Sequence, residues 1–118
     1  MSWYLTITPQ AGQPPVVETH RLVQFLGSLA ELRQTGPIAF ESVPGQPWVS
    51  LILAKCGPSG GYASEGEFIA QLDIVELVCA YSADSAWCDG LACRIAQFLQ
   101  WTAVEEQENR RLWPLAAS

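Results

Sequence analysis

Acidic side chains that lie close together in the sequence are the first candidates for chemistry in this chain. Glu65 and Glu67 are separated by a single residue, so both point the same way if they begin a strand. Two carboxylates on one side can act as general acid and general base, or they can bind basic side chains of a partner. Other acidic groups with the same options are Asp73 with Glu76, and Glu105 with Glu106 and Glu108. Solvation is the most common role of such acids, partner contact comes next, and catalysis is the least favoured.

A nucleophilic or metal-dependent enzyme is not what the sequence predicts. Acyl transfer needs a nucleophile beside a general base, yet the chain has no GxSxG motif, and His20 is its single histidine. The glycine-rich stretch at residues 57–61 lacks the GKS or GKT ending of a phosphate-binding loop. No CxxC occurs, so no zinc pattern is matched by the cysteines, which are Cys56, Cys79, Cys88 and Cys93. We expect buried, inert thiols, no metal, no cofactor and no catalysis.

Aromatic side chains are the other candidates, because Trp, Tyr and Arg dominate the energetics of protein interfaces. The chain contains 5 tryptophans. Trp48 lies in a predicted strand, either in the core or on an uncovered sheet face. Trp113, beside a pair of arginines, either contacts a partner or packs over the sheet edge. Tyr62 belongs to the loop at residues 56–66, whose glycines favour either a mobile tip that contacts a partner or a plain hairpin connection.

Composition limits the chain to one domain and argues against nucleic acid. With 118 residues, one hydrophobic core is expected, in a single α+β domain that spans residues 1–118. Charged residues make up 15%, and the formal net charge is -6. Such a chain lacks the clustered Lys and Arg that bind phosphate backbones, so no direct contact with nucleic acid is predicted. The same negative field attracts a basic protein surface, or it only keeps the protein in solution.

The N-terminal sequence and the hydropathy pattern predict a cytoplasmic protein. Residues 1–5 contain no basic stretch followed by a long apolar run. No segment approaches the roughly 18 apolar residues needed to cross a bilayer. We therefore expect no membrane association, and we expect the thiols to stay reduced.

Two segments with clear periodicity open the chain. Residues 3–8 alternate in polarity, which predicts a strand with Trp3, Leu5 and Ile7 facing inward. Prolines between positions 9 and 15 then predict an extended connection. Residues 19–33 carry apolar side chains three and four apart, which predicts an amphipathic helix with Thr19 as N-cap, ended by Gly36-Pro37.

Further strands and a second helix follow. Runs at residues 38–43 and 48–55 flank a Pro-Gly turn and predict an antiparallel hairpin, whose second strand is central, covered by helices on one side and partly shielded on the other. Residues 68–81 predict a strand with a bulge near 73–75. A second helix is predicted from an N-cap at Asp84 to Thr102, with Trp101 near its apolar face. Beyond Thr102 the chain either extends this helix or packs as a short extra segment.

The order of these elements, β-α-β-β-β-α, predicts an α+β fold. We expect a four-stranded antiparallel sheet with two helices on one face. The other face of the sheet is then open. If that face is partly apolar, as the run at residues 48–55 suggests, a partner docks there.

Certain features together resemble a known class of protein. They are the short first strand Trp3-Tyr4-Leu5-Thr6-Ile7, the helix THRLVQFLGSL at residues 19–29, the pI of about 4.5 and the small α+β build. This pattern resembles the small cytoplasmic immunity proteins that bacteria make against their own interbacterial toxins. The resemblance implies tight, stoichiometric binding of a cognate toxin, often by covering its active site. It carries over no individual residue.

Physical reasoning and resemblance together predict a binding protein rather than an enzyme. Glu65, Glu67 and Asp73 are expected to meet a basic toxin surface. The aromatic anchors are expected to be Trp48, Tyr62 and Trp113. Two alternatives stay open: a small-molecule-binding or enzymatic domain with a pocket between sheet and helices, or a homodimer whose open sheet faces pair back to back.

Overall fold

The architecture is an α+β domain built on one large antiparallel sheet. The computed structural model describes residues 2–10, 12, 16–55, 69–80, 85–106 and 109–114. Seven strands form the main sheet in the order β3-β4-β5-β7-β1-β8-β9, and β2 pairs with β6 in a separate ladder. The elements are β1 Ser2–Pro9, β2 Val17–Glu18, α1 Thr19–Gly27, β3 Leu32–Gly36, β4 Ala39–Ser42, β5 Val49–Ala54, β6 Gln71–Leu72, β7 Ile74–Ala80, α2 Ser85–Leu99, β8 Trp101–Glu105 and β9 Arg110–Trp113. Neither helix in these ranges is long and apolar enough to cross a membrane.

The first strand is confirmed and occupies the interior of the sheet. Strand β1 lies between β7 and β8, antiparallel to both. Its side chains Trp3, Leu5 and Ile7 are buried, as the alternation predicted. Leu5 is directly opposite Leu77 on β7, which is in turn opposite Leu51 on β5. This cross-strand row forms the middle of the core.

The first helix is shorter than the periodicity indicated. It spans Thr19–Gly27 rather than residues 19–33, and Leu32 begins strand β3, which pairs with β4. Leu32 is buried in the strand, and the predicted helix would also have placed it on the apolar stripe. Helical spacing alone therefore could not distinguish a helix from a strand at this position. The predicted N-cap is also wrong. Glu18 holds that position without a side-chain cap, while the buried Thr19 hydroxyl donates to the Ile69 carbonyl.

The predicted hairpin at residues 38–55 is confirmed, and the predicted bulge near 73–75 is wrong. Strands β4 and β5 pair antiparallel, and β5 lies between β4 and β7. The change of phase near Asp73 marks a change of ladder: β6 pairs with β2, and β7 enters the main sheet. The Asp73 N–H donates to the Ala54 carbonyl at 3.0 Å at this junction.

The end of the chain adds strands that the sequence did not predict. Helix α2 ends at Leu99 instead of Thr102. The next residue, Gln100, takes a left-handed φ of 59°. Trp101 then begins β8, so it belongs to the sheet and not to the helix. Strands β8 and β9 form a hairpin, in place of a helix extension. With β3, they enlarge the predicted four-stranded sheet to seven strands.

Both helices lie on the same face of the main sheet, as predicted. The Phe25 and Phe98 rings stack with centroids 4.1 Å apart, which places α1 beside α2. The Arg94 guanidinium forms an ion pair with Glu31 at 2.9 Å, next to this contact. Inward residues of both helices share one hydrophobic core with the odd-numbered residues of β1, β5 and β7. The opposite side of the sheet is called the helix-free face below.

Candidate protein-binding face

The helix-free face carries the even-numbered residues of the central strands. Tyr4 on β1 is opposite Val78 on β7, and Val78 is opposite Ser50 on β5. One step along, Trp48 lies beside Ala80, whose N–H points to the Trp48 carbonyl at 3.5 Å. We call Tyr4, Trp48, Val78 and Ala80 the aromatic patch. Tyr4 lies in β1, Val78 and Ala80 lie in β7, and Trp48 directly precedes β5, so the patch is continuous across the sheet.

Two large apolar side chains of this patch are exposed to solvent. The exposed fraction is 48% for Trp48 and 42% for Tyr4, and the described residues include no other exposed large hydrophobic side chain. The two lie two strands and two residues apart, which corresponds to about 12 Å between their Cα atoms. Both rings can therefore contact the same partner, with Val78 and Ala80 between them.

The helix-free face is buried at its other end. Ala54 and Ile74 are opposite each other on β5 and β7, at the end remote from Trp48. Their exposed fractions are 1% and 9%, and neither belongs to the core beneath the helices. The partial shielding predicted for this side of β5 is therefore present. Among the described residues, exposure of large apolar side chains is confined to the end that carries Tyr4 and Trp48.

The predicted site residues that the structure describes, Trp48, Asp73 and Trp113, do not come together. Glu65, Glu67 and Tyr62 lie outside the described residues. Asp73 precedes β7, whereas Trp48 lies beside Ala80 at the end of that strand, so a full strand of about 24 Å separates them. Trp113 is in β9 and packs against the core. Of the three predicted residues that the structure describes, Trp48 is therefore the one on an exposed apolar surface.

Tyr4 is the member of the patch that sequence reasoning missed. The strand prediction assigned Trp3, Leu5 and Ile7 to the inner face, which by alternation already placed Tyr4 on the outer face. Nothing in the sequence indicated that Tyr4 would lie near Trp48 across the sheet. Tyr4 is separated from Trp48 by 44 positions in the sequence, and only the pairing of both strands with β7 brings them together.

A cluster of ionisable groups lies on the covered side, beneath α2. The Arg110 guanidinium lies 3.5 Å from the Asp89 carboxylate, and Glu105, opposite Arg110 in the β8–β9 register, is buried with 6% exposed. Burial raises the pKa of Asp89, Arg110 opposes that rise, and Glu105 adds to it. The cluster joins α2 to the last hairpin, which is a structural role.

The described cysteines are largely protected from solvent. Cys79 and Cys88 are completely buried, and Cys93 is partly exposed and donates to the Leu112 carbonyl at 3.5 Å. A hydrogen bond with Cys88, followed by burial, raises the pKa of the Cys79 thiol. Burial, followed by the charge of Asp89, raises the pKa of Cys93. Thiols with raised pKa values are poor nucleophiles, as the sequence led us to expect for them.

A shallow cleft of about 480 Å³ lies where the β2–β6 ladder meets the start of α1. Its lining residues are Glu18, His20, Lys55, Ile69, Ala70 and Gln71. It is the feature that corresponds best to the small-molecule alternative. Within the described ranges, no group of His, Cys, Asp and Glu side chains is arranged to hold a metal ion.

Comparisons of the chain with protein-family models, curated proteins and solved structures gave no match. Neither a fold family nor a function is transferred to it from a relative. The resemblance to immunity proteins remains a prediction. The geometry of the helix-free face is the basis on which a function is assigned.

Proposed function

We propose that the protein is an immunity protein that binds a cognate toxin and neutralises it by covering the toxin's active site. The observation that supports this most is the exposure of Trp48 and Tyr4 on one patch of the helix-free face, on either side of β7. Large aromatic side chains that are rigid at the backbone and open to solvent are typical of interface anchors. Isolated exposed apolar residues need no explanation, whereas two on one continuous patch do.

The sheet gives this patch the properties that a high-affinity contact needs. Tyr4 and its neighbour Val78 belong to strands that are paired on both sides, so their backbones are already ordered before binding. Less conformational entropy is then lost on association, and more of the energy of burying the rings becomes affinity. In this proposal the patch forms the centre of the interface.

Charge supplies the second part of the proposal. The net charge of -6 favours approach to a toxin with a basic surface, and it raises the association rate more than the affinity. Glu65, Glu67 and Asp73 remain proposed contributors to this attraction. We place the protein in the cytoplasm of the producing cell, where it meets the toxin before export.

Two other functions compete with this proposal. A small-molecule-binding or enzymatic domain would use the cleft lined by His20 and Lys55. A homodimer would bury the same aromatic patch against a second copy. The mass in solution separates the homodimer from the other two, because a monomer has 12.9 kDa.

The proposal is tested by comparing variants in capture and protection experiments. Tagged wild-type protein and a Tyr4→Ala, Trp48→Ala double variant are used to capture partners from the native cell lysate. The matched control is Gln24→Ala with Gln97→Ala, because both glutamines are exposed on the helices of the opposite face. A stoichiometric partner bound by wild type and control, but lost from the patch variant, is expected. That partner, expressed in a test host, should stop growth unless wild-type protein is co-expressed.

Two results would contradict the proposal. One is a stoichiometric partner that does not stop growth when it is expressed in the test host; a toxic partner that the patch variant still neutralises would instead move the interface away from this face. The other is a monomeric protein that captures no partner and instead carries a metabolite in the cleft at Lys55.

A further inference from the structure

One acidic side chain lies next to the aromatic patch, near the middle of the helix-free face. Glu76 is on β7, the central strand of the seven, and is directly opposite Thr6 on β1 and Ile52 on β5. Tyr4 is its diagonal neighbour across the β1–β7 pair, at about 7–8 Å between Cα atoms. The carboxylate of Glu76 is thus surrounded by neutral and apolar side chains.

Basic side chains that could neutralise Glu76 are occupied or distant. Three arginines already pair with acids: Arg33 with Glu41, Arg94 with Glu31, and Arg110 with Asp89. The other basic residues are Arg21, which lies 5.1 Å over the Phe98 ring, Lys55, which lines the cleft, and Arg111, which is opposite Val104, three strands from Glu76. Within the part of the chain that the structure describes, Glu76 therefore forms no ion pair.

Thr6, directly opposite Glu76, is neutral, and its hydroxyl oxygen is shielded from a partner. Its Oγ1 atom is buried and has no hydrogen-bond partner among the described residues. A buried hydroxyl without a partner is uncommon, because it gives up water without compensation. Next to it, the Tyr4 ring is 42% exposed and offers an aromatic face. A carboxylate and an exposed aromatic ring therefore adjoin on neighbouring strands.

We infer that Tyr4 and Glu76 form a subsite for an arginine side chain of the partner. A guanidinium is planar and carries five N–H donors, so it can stack on a ring while it donates to both oxygens of one carboxylate. A lysine ammonium satisfies the charge of Glu76 but makes no planar stack. This inference rests on the proposed function for its biological role, because it names the chemistry of the partner at the same face.

The same charge argues against a second copy as the occupant. If two helix-free faces met around a two-fold axis, the Glu76 carboxylates near the centre of each face would be brought together. Like charges facing each other in a contact are destabilising. A basic partner avoids that repulsion, which is why the subsite favours an arginine-bearing protein over self-association.

A titration of the full-length, isotope-labelled protein with short peptides tests the subsite. The probes are hexa-arginine and hexa-lysine, and binding is followed by NMR chemical shifts. Hexa-arginine should bind more tightly than hexa-lysine and should shift the signals of Tyr4 and Glu76. Glu76→Gln should weaken hexa-arginine binding about tenfold, as expected for hydrogen bonds to a charged group. The matched control Glu18→Gln removes the same charge from an exposed position on β2 and should change binding less than about twofold.

Further variants separate a specific subsite from a general charge effect. Tyr4→Phe keeps the ring and should keep the preference for arginine, whereas Tyr4→Leu should abolish it. Equal effects of Glu76→Gln and Glu18→Gln, equal binding of both peptides, or shifts confined to the cleft at Lys55 would each overturn the inference. A wild-type protein that is partly dimeric, with a larger dimer fraction in the Glu76→Gln variant, would overturn it in favour of a second copy.

Failure of the subsite can be told apart from failure of the proposed function. If Glu76→Gln leaves partner binding unchanged while Trp48→Ala abolishes it, the subsite is wrong and the binding face stands. If Trp48→Ala and Tyr4→Ala leave partner binding unchanged, the aromatic patch is not the binding face, and if no toxic partner is captured at all, the proposed function is wrong whatever the peptides show.

Discussion

The Thr19 hydroxyl donates a hydrogen bond to the backbone carbonyl of Ile69, which ties the first residue of α1 to the chain that enters β6. The Thr19 N–H also donates to the neighbouring Ala70 carbonyl at 3.0 Å. These bonds join segments 50 positions apart in the sequence. They fix the start of the helix against the β2–β6 ladder, although Thr19 caps no helix.

Replacing Thr19 by valine should destabilise the fold. The change keeps the shape of a completely buried side chain but leaves the Ile69 carbonyl without its donor, so a loss of about 1–3 kcal/mol is expected. Urea unfolding of the variant measures it. Thr6→Val is the matched control, because the Thr6 hydroxyl has no partner among the described residues and its removal should be neutral or stabilising. Equal losses in both variants would contradict this account.

Leu77 should be among the most sensitive positions in the core. It is completely buried and lies between Leu5 and Leu51, so Leu77→Ala leaves a cavity that three central strands cannot collapse. We expect a loss of about 2–5 kcal/mol in the free energy of unfolding. Val78→Ala, one residue along on the helix-free face, should cost less than about 1 kcal/mol. Similar losses at both positions would mean that the helix-free face is packed as a core.

Asp89 should make stability depend on pH. Because the pKa of Asp89 is raised by burial above its usual value of 3.8, the folded state holds the proton more tightly than the unfolded state does. Its contribution to stability is therefore fully present below pH 3.8 and is lost as the pH rises through the folded-state value. Asp89→Asn should be more stable than wild type at pH 7, and the difference should shrink as the pH falls towards 3.8. A difference that grows on acidification would contradict the sign of this shift.

Cysteine reactivity should follow burial. In a Cys56→Ser variant the remaining cysteines are Cys79, Cys88 and Cys93. Iodoacetamide should not modify Cys79 or Cys88 until the protein unfolds globally. Cys93 is partly exposed but has a raised pKa, so it should react more slowly than free cysteine at pH 8. Mass spectrometry of time points gives each rate. Fast modification of Cys79 in the native protein would show that β7 is not covered by α2.

The predicted fold was correct where the spacing of apolar residues was compatible with only one type of secondary structure. Alternation in residues 3–8 and the Pro-Gly turn near residue 45 gave β1 and the β4–β5 hairpin correctly. Leu32 and Trp101 show why the rest failed. Each is buried and fits the spacing of the preceding helix, but each belongs to a strand, because pairing with β4 or β1 stabilises the extended chain. Tertiary pairing of this kind leaves no local signal in the sequence.

The candidate site was predictable only in part. Trp48 was named from its residue type and from the open face that the fold implied, and the structure places it there. Strand alternation could have placed both Tyr4 and Glu76 on the outer face of the sheet. Their proximity depends on the β1–β7 register, which pairs residues about 70 positions apart. A register of that range is not encoded in the spacing of either strand.

The indole N–H signals of the five tryptophans give the most direct test of the central claim, which is that the helix-free face binds the partner. Trp48 is 48% exposed on that face, and Trp101 is 2% exposed and serves as the internal reference. Adding the captured partner to the labelled protein should shift or broaden the Trp48 indole signal and leave that of Trp101 in place. An unchanged Trp48 signal in a saturated complex would contradict the claim.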